Sequence, residues 1–350
     1  MRRFSKTFTM KKPTVVEIAK QAGVSTTLVS FVVNNNEKHL ARMNPDTVKR
    51  VRKVAADLGY HRNELFAAAR RGRSRFIALI ARDVTVEYYA RVLDHIMGAT
   101  DQFDYALKLV TLREPEQILG AVTRIQEYRI CGGIFLGVRN DISTLFWKQL
   151  GDSPFPSMLI NCDPAGVKQG VLVEVDDVSA MRQAIAYLKE LGHNNIVYAG
   201  PSNNEHAHIV RRKAFQQACE EAGIVISSSI RLPWDIEDPQ TELVNVLKQK
   251  DRPTAIIAYS DPAALTVRQV VTTLGLRIPS DISLVGFDDI SYAKRLTPPL
   301  TTFQQELNVI KDQYIPEYIG SIERGEQLSR RVKRVIPVQL VKRESTAPPP

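Results

Sequence analysis

The chain has 350 residues, 44% hydrophobic and 24% charged, with a formal net charge of +9. That length exceeds what one hydrophobic core ordinarily organises, so two or three domains of a soluble globular protein are expected. No apolar run approaches the ~20 residues of a membrane helix. The basic start MRRFSKTFTMKKP lacks the apolar stretch of a secretory leader, and Cys131, Cys162 and Cys219 stand singly, without metal-ligand spacing. A cytoplasmic chain with buried thiols is therefore expected, with no membrane partner, metal or cofactor.

The charge is unevenly placed. Residues 1–76 hold 17 Lys and Arg against 5 Asp and Glu, a net of +12, while the remainder holds 30 against 33, a net of −3. A basic head on a near-neutral body points to a polyanion-binding module joined to something else.

Within that head, residues 14–35 read TVVEIAKQAGVSTTLVSFVVNN. Thr14 followed by Glu17 is a capping box, and Val15, Ile18, Ala19 and Ala22 recur at helical spacing. Gly23 suits a left-handed helix end. Ser25 can cap a second helix whose buried side is Leu28, Val29, Val32 and Val33. Thr26, Thr27, Ser30, Phe31 and Asn34 are left to face outward. Two short helices around a Gly-containing turn describe a helix-turn-helix, whose second helix enters a DNA major groove; a helical hairpin within another core is the alternative. Asn44 and Pro45 then open a third helix, striped by Val48, Val51, Val54, Ala55 and Leu58 and stopped at Gly59. Residues 60–75 form a join in which Asn63 can cap a short helix over 64–70, with Arg70, Arg71, Arg73 and Arg75 at its end.

From Phe76 the pattern changes to short apolar runs alternating with amphipathic stretches, the signature of parallel sheets wound with helices. Strands are expected at 76–81, 106–112, 132–138, 157–161, 171–175, 195–200, 229–234, 254–260, 283–289 and 335–341. Helices are expected at 87–103, 115–128, 177–191, 207–222, 239–250, 262–274 and 306–323. The fold class is α/β: an all-α headpiece followed by two doubly wound lobes. Ligands of such sheets bind beyond the carboxyl ends of the strands. Those ends here carry Arg82–Asp83, Gly137–Val138, Asn161, Ser260–Asp261 and Asp288–Asp289, although Asp and Asn are also ordinary turn formers there.

The stretch at 14–35, GHNNIVYAGP at 192–201, RPTAIIAYSDPAAL at 252–265, SLVGFDDISYAKRLTPPLTT at 283–302 and the terminal VQLVKREST together resemble the lactose repressor/galactose repressor family of bacterial transcription regulators. The likeness runs in order from about residue 12 to 346. It implies a basic extension at 1–11, a DNA-binding headpiece at 12–61 and a hinge helix or linker at 62–75. A periplasmic-binding-protein-like effector and dimerisation domain follows at 76–344, with one lobe at 76–174 and 304–333 and the other at 175–303 and 334–344. Residues 345–350 are expected to be a disordered tail.

The resemblance also implies homodimers on near-palindromic double-stranded DNA. It places base reading on Thr26, Thr27 and Phe31, and phosphate bonding on Ser25, Ser30 and Asn34. It adds Thr14, Tyr60, Asn63, Ala69 and Arg70 to the DNA-facing set. Phe31 can offer a base only apolar contact, where the family often has a polar or basic residue. Ala69 falls where relatives wedge a Leu between base steps, and Arg62 where they carry Pro, so weaker bending is expected. In the effector cleft the resemblance places Tyr88, Tyr89, Asn161, Arg211, Trp234, Ser260 and Asp288, a set suited to a sugar or related polar metabolite. It makes His193 structural.

The expected function is a ligand-responsive repressor, with an activator as the alternative sign. A transport solute-binding protein would need a leader and no basic head. For an enzyme, G-x-G-x-x-G after the first strand, a P-loop, metal spacing and G-x-S-x-G are all missing. No heptad repeat follows residue 341, so a dimer and not a coiled-coil tetramer is expected.

Overall fold

The computed structural model describes residues 13–34, 37–60, 74–151, 155–167, 169–201, 205–224, 229–232, 240–325 and 330–350. The chain divides into two compact units, Met1–Ser74 and Arg75–Pro350.

The first unit contains α1 (Val15–Ala22), α2 (Thr26–Val33), the short α3 (Glu37–Leu40) and α4 (Pro45–Asp57). The capping box forms as the sequence predicts: the Glu17 amide donates to Thr14 Oγ1 at 3.3 Å, and the Thr14 amide donates to the Glu17 carboxylate at 2.7 Å. Gly23 ends α1 at φ +65°, a conformation that costs a residue with a side chain more than it costs glycine. Asn44 caps α4 through the Asp46 amide, with Pro45 in the first turn. Ile18, Ala19, Ala22, Val29, Val32, Val51 and Ala55 close a small core, and Arg50 reaches across to bond the Ala22 carbonyl.

The second unit is built on two parallel sheets. Six strands, β1 (Phe76–Ala81), β2 (Ala106–Thr111), β3 (Gly132–Leu136), β4 (Ser157–Ile160), β5 (Gly170–Val175) and β11 (Arg331–Ile336), lie in the order β11-β5-β4-β3-β1-β2. Four more, β6 (Ile196–Pro201), β7 (Ser229–Leu232), β8 (Ala255–Ala258) and β9 (Ser283–Val285), lie in the order β7-β6-β8-β9. Apolar runs such as FIALIA, buried along almost their whole length, are what a parallel sheet covered on both faces demands. The covering helices are α5 (Glu87–Gln102), α6 (Gln117–Glu127), α7 (Asn140–Leu150), α8 (Asp177–Glu190), α9 (His206–Ala222), α10 (Thr241–Leu247), α11 (Asp261–Thr273) and α12 (Ile315–Arg324). The chain leaves the first sheet after β5, builds the second, and returns to the first as β11.

Several expectations change in detail. The single strand expected at 335–341 is two, because Pro337 has no amide to continue a ladder. β11 ends at Ile336 beside β5, and β12 (Val338–Val341) pairs antiparallel with β10 (Thr302–Gln305). The strand expected at 283–289 stops at Val285, since Asp288 and Asp289 take φ +110° and +46°. The helix expected from 306 opens as a π-turn at Ile310–Tyr314 before α12. The helix α7 was not expected.

The end at 345–350 is not a disordered tail. Ser345 is buried and bonds the Leu284 carbonyl and the Thr301 amide, Thr346 meets Tyr187 and Thr301, and the Ala347 carbonyl faces His193 Nε2 at 2.9 Å. His193 also meets Thr254 at 2.8 Å and Ser283 at 3.0 Å, so its role is structural, and burial lowers its pKa. Composition alone (Ser, Thr, Ala, Pro) suggested a solvated end; the chain instead satisfies the edge of β9.

Candidate functional site

Two regions carry functional side chains, one in each unit. In the first, α2 is the presenting element. Val29 and Val32 are buried against α1 and α4, which fixes the helix rotation and leaves Ser25, Thr26, Thr27 and Asn34 exposed. Ser25 Oγ accepts the Leu28 amide at 3.2 Å, so it serves as the helix cap. Asn34 also works locally, donating to the Ser30 carbonyl at 2.6 Å and to Ser30 Oγ at 3.2 Å. Thr26 and Thr27 therefore have the freest polar side chains on this face. Phe31 is half-buried, its ring stacked on that of His39 from α3, with centroids 3.9 Å apart and planes 8° from parallel. Thr14 sits at the capping box and Tyr60 packs against the headpiece core. Asn63, Ala69 and Arg70 lie outside the described residues.

In the second unit, strand ends, the first turn of α5 and the second turn of α9 converge. Arg211, 3% exposed on α9, donates to Asp177 Oδ1 at 2.6 Å and to the Tyr259 carbonyl at 2.5 Å. Its guanidinium carbon lies 3.4 Å from the centroid of the Phe287 ring. Burial alone would lower the Arg211 pKa, but the Asp177 carboxylate more than reverses this, while burial raises the Asp177 carboxyl against the pull of Arg211. Asp288, 8% exposed, accepts from Gln305 Nε2 at 2.8 Å. Burial pushes its carboxyl well above the usual range, against the pull of Arg211. The other amide atom of that pair, Gln305 Oε1, is buried without a hydrogen-bond partner.

From the first lobe, Tyr88 accepts a 2.8 Å bond from Asn161, which holds a left-handed φ of +52° at the end of β4. Burial and then the proximity of the Asp288 carboxyl raise the Tyr88 pKa, while Arg211 lowers it. Tyr89 meets Tyr88 at 5.3 Å between centroids, and its hydroxyl fills the space where a side chain at Gly137 would project. The structure thus brings Tyr88, Asn161, Arg211 and Asp288 into one electrostatically linked group, with Tyr89 beside it. Ser260 is nearby but occupied as the cap of α11, accepting from the Ala263 amide at 3.3 Å. Trp234 lies outside the described residues. Asp177, Tyr259, Phe287 and Gln305 were not named from sequence. Tyr259 and Phe287 directly precede the named Ser260 and Asp288, which was the available signal, whereas Asp177 offered only its position as the first residue of a helix.

The first lobe also grips the second directly. Arg82 pairs with Glu205, Glu87 accepts from the Ser291 amide at 2.7 Å and its hydroxyl at 2.8 Å, and Arg91 Nη1 donates to the Asp288 and Asp289 carbonyls at 3.1 Å each.

Comparison with known proteins matches part of each unit. The family model described as bacterial regulatory proteins, lacI family, matches residues 14–63, and that described as a periplasmic binding protein-like domain matches residues 185–346. The HTH-type transcriptional regulator DegA of Bacillus subtilis (strain 168) is 30% identical over 343 residues, 96% of this chain and 99% of DegA. The chain belongs to the LacI family. It is a DNA-binding transcription regulator. The transcriptional repressor PurR of Haemophilus influenzae (strain PittEE) is 27% identical over 296 residues, 83% of this chain and 86% of PurR. Among solved structures, the lac repressor dimer bound to operator and the anti-inducer ONPF superposes with a TM-score of 0.77, covering 96% of this chain and all of that one, at 22% identity. The fold is therefore that of the lac repressor, and α2 lies within the stretch that the lacI-family model matches. Among the described residues no helix is long and apolar enough to cross a membrane.

Proposed function

We propose that the chain is a cytoplasmic repressor that binds a near-palindromic operator as a homodimer and is controlled by a small polar effector held between the lobes of its second unit. DNA recognition rests on α2: Thr26 and Thr27 read base edges, Ser25, Ser30, Asn34 and Thr14 approach phosphates, and Tyr60, Asn63, Ala69 and Arg70 lead into the hinge. The effector is a sugar or related metabolite. Tyr88 and Asn161 meet it from one lobe and Arg211 and Asp288 from the other, with Tyr89 and Trp234 as apolar faces.

The observation that carries the effector assignment is the buried group Arg211–Asp177 and Asp288–Gln305 facing Tyr88. Arg211, Asp177 and Asp288 are partnered inside the group, but the buried Gln305 Oε1 is not, and a hydroxyl-rich ligand that donates to it relieves that cost. Such a ligand controls the protein only through unequal affinity for two arrangements of the lobes.

The test has two parts. Selection of random duplexes with the full chain should enrich a two-fold symmetric sequence, and a thermal-shift screen of sugars and nucleosides should find a ligand that raises the unfolding midpoint and changes operator affinity. Enrichment of no sequence overturns the regulator assignment. A ligand whose binding survives Asp288→Asn and Arg211→Lys unchanged overturns the site.

A further inference from the structure

Phe31 and His39 form a stacked ring pair with no counterpart among the described residues of the first unit. Phe31 belongs to the outward side of α2, one turn after Thr27, where an exposed aromatic ring would be an apolar liability. It is half-buried because His39 lies flat against it, centroids 3.9 Å apart and planes 8° from parallel. One face of Phe31 is thereby closed to any base. The His39 ring, in turn, has neither nitrogen hydrogen-bonded to any described residue, although its backbone carbonyl accepts the Arg42 amide. The two rings are fastened at both ends: Val32, next to Phe31, is in the headpiece core, and Leu40, next to His39, packs against that core.

We infer that His39 is a base-reading residue and Phe31 its positioning residue: the stack holds the imidazole edge beside α2, where it donates a hydrogen bond to a purine N7 or guanine O6 in the major groove. The inference rests on the regulator reading above. It resolves an oddity of the helix, since Phe31 itself has no hydrogen bond to give and the major groove distinguishes all four base pairs chiefly through donors and acceptors. A flat, two-ring slab also costs little conformational entropy to dock, because neither ring is free to rotate away.

The experiment is random-duplex selection with full-length wild type, followed by competition binding of every single-base variant of the enriched operator. An enriched palindrome with wild type establishes the regulator reading independently; no enrichment sinks both. With the operator in hand, His39→Phe keeps a stacking ring and removes the nitrogens. It should reduce discrimination at one purine position per half-site by roughly tenfold, with smaller effects elsewhere. Phe31→Ala should lose discrimination at that same position, Phe31→Trp should restore it, and the double variant should lose no more than either single.

Thermal unfolding of each variant separates this from loss of fold, and His39→Phe, which retains the stack, carries the test if Phe31→Ala is unstable. The proposal is overturned if His39→Phe leaves the base preferences unchanged, if it weakens all sequences equally as a lost phosphate contact would, or if Phe31→Ala changes a different position.

Discussion

Arg211 carries its charge into a site where only 3% of the residue is exposed, and it does so by spending its donors on Asp177 and on the Tyr259 carbonyl over the face of Phe287. Such a pair is weak evidence of stability, because desolvating two ions offsets most of their attraction, but removing one partner strands the other. Arg211→Met should therefore destabilise the second unit by about 3–5 kcal/mol, and Arg211→Met with Asp177→Leu should recover much of the loss. Urea unfolding checks this; a double variant no more stable than the single refutes it. Asp261 behaves differently. Burial pushes its carboxyl from 3.8 up to about 7, although Thr302 Oγ1 and the Ile290 amide both donate to it, at 2.6 and 2.9 Å. The folded chain then keeps a proton that the unfolded chain releases, so this group's contribution is fully present below pH 3.8 and is lost as pH rises to about 7. Asp261→Asn retains an acceptor for Ile290 and a donor for a rotated Thr302 hydroxyl. It should flatten the fall in stability across that window, measured by denaturant midpoints at several pH values. Arg211 and Asp288 are named from sequence through family resemblance, and the structure places both in one buried group. Asp177 is not, because 34 residues separate it from Arg211 and only the fold closes that distance.

Elements were legible in proportion to their punctuation. α1 and α4 announce themselves by Thr14 with Glu17, by Gly23 and by Asn44 with Pro45, and each device forms the predicted bonds. Because Asn44 caps α4 through the Asp46 amide and is not among the residues assigned to DNA, Asn44→Ala should cost about 1 kcal/mol of headpiece stability. It should leave the enriched operator sequence unaltered, and a change in base preference would show that α4 helps set the reading helix. α7 has a stop signal in Gly151, at φ +69°, but no start signal: Arg139 precedes it without a side-chain cap, and the exposed Leu145 blurs the stripe of Ile142, Phe146 and Leu150. The turn at Asp288–Asp289 was hidden for another reason. SLVGFDD reads as one apolar run into a polar end, and nothing local says that two consecutive aspartates will take positive φ. That conformation is held from outside by the Phe303 carbonyl on the Asp288 amide, by Arg343 on Asp289 and by Arg91 on both carbonyls.

Arg91 links the site to the lobes. The first turns of α5 bear Tyr88 and Tyr89 at the buried polar group, while Glu87 and Arg91, four residues apart, bond Ser291 and the Asp288–Asp289 carbonyls of the other lobe. Arg82 with Glu205 adds a third cross-lobe pair. A ligand that bonds both Tyr88 and Asp288 therefore favours the same lobe arrangement that Glu87 and Arg91 hold, and by linkage anything that weakens the grip weakens the ligand. Hydrogen bonds from a charged group contribute about 1.5–3 kcal/mol each, and about 1.4 kcal/mol shifts a population tenfold, so Arg91 alone can move the lobe equilibrium by an order of magnitude or more. Arg91→Ala should enlarge the radius of gyration of the ligand-free protein in small-angle scattering. It should also lower the affinity for whichever ligand the thermal screen identifies by at least tenfold, although Arg91 is not one of the residues assigned to contact it. Operator affinity should shift in the direction opposite to that produced by the ligand, since the two act on one equilibrium from opposite sides. An unchanged radius together with unchanged ligand affinity would mean that the cross-lobe bonds are incidental and that control passes through the cleft residues alone.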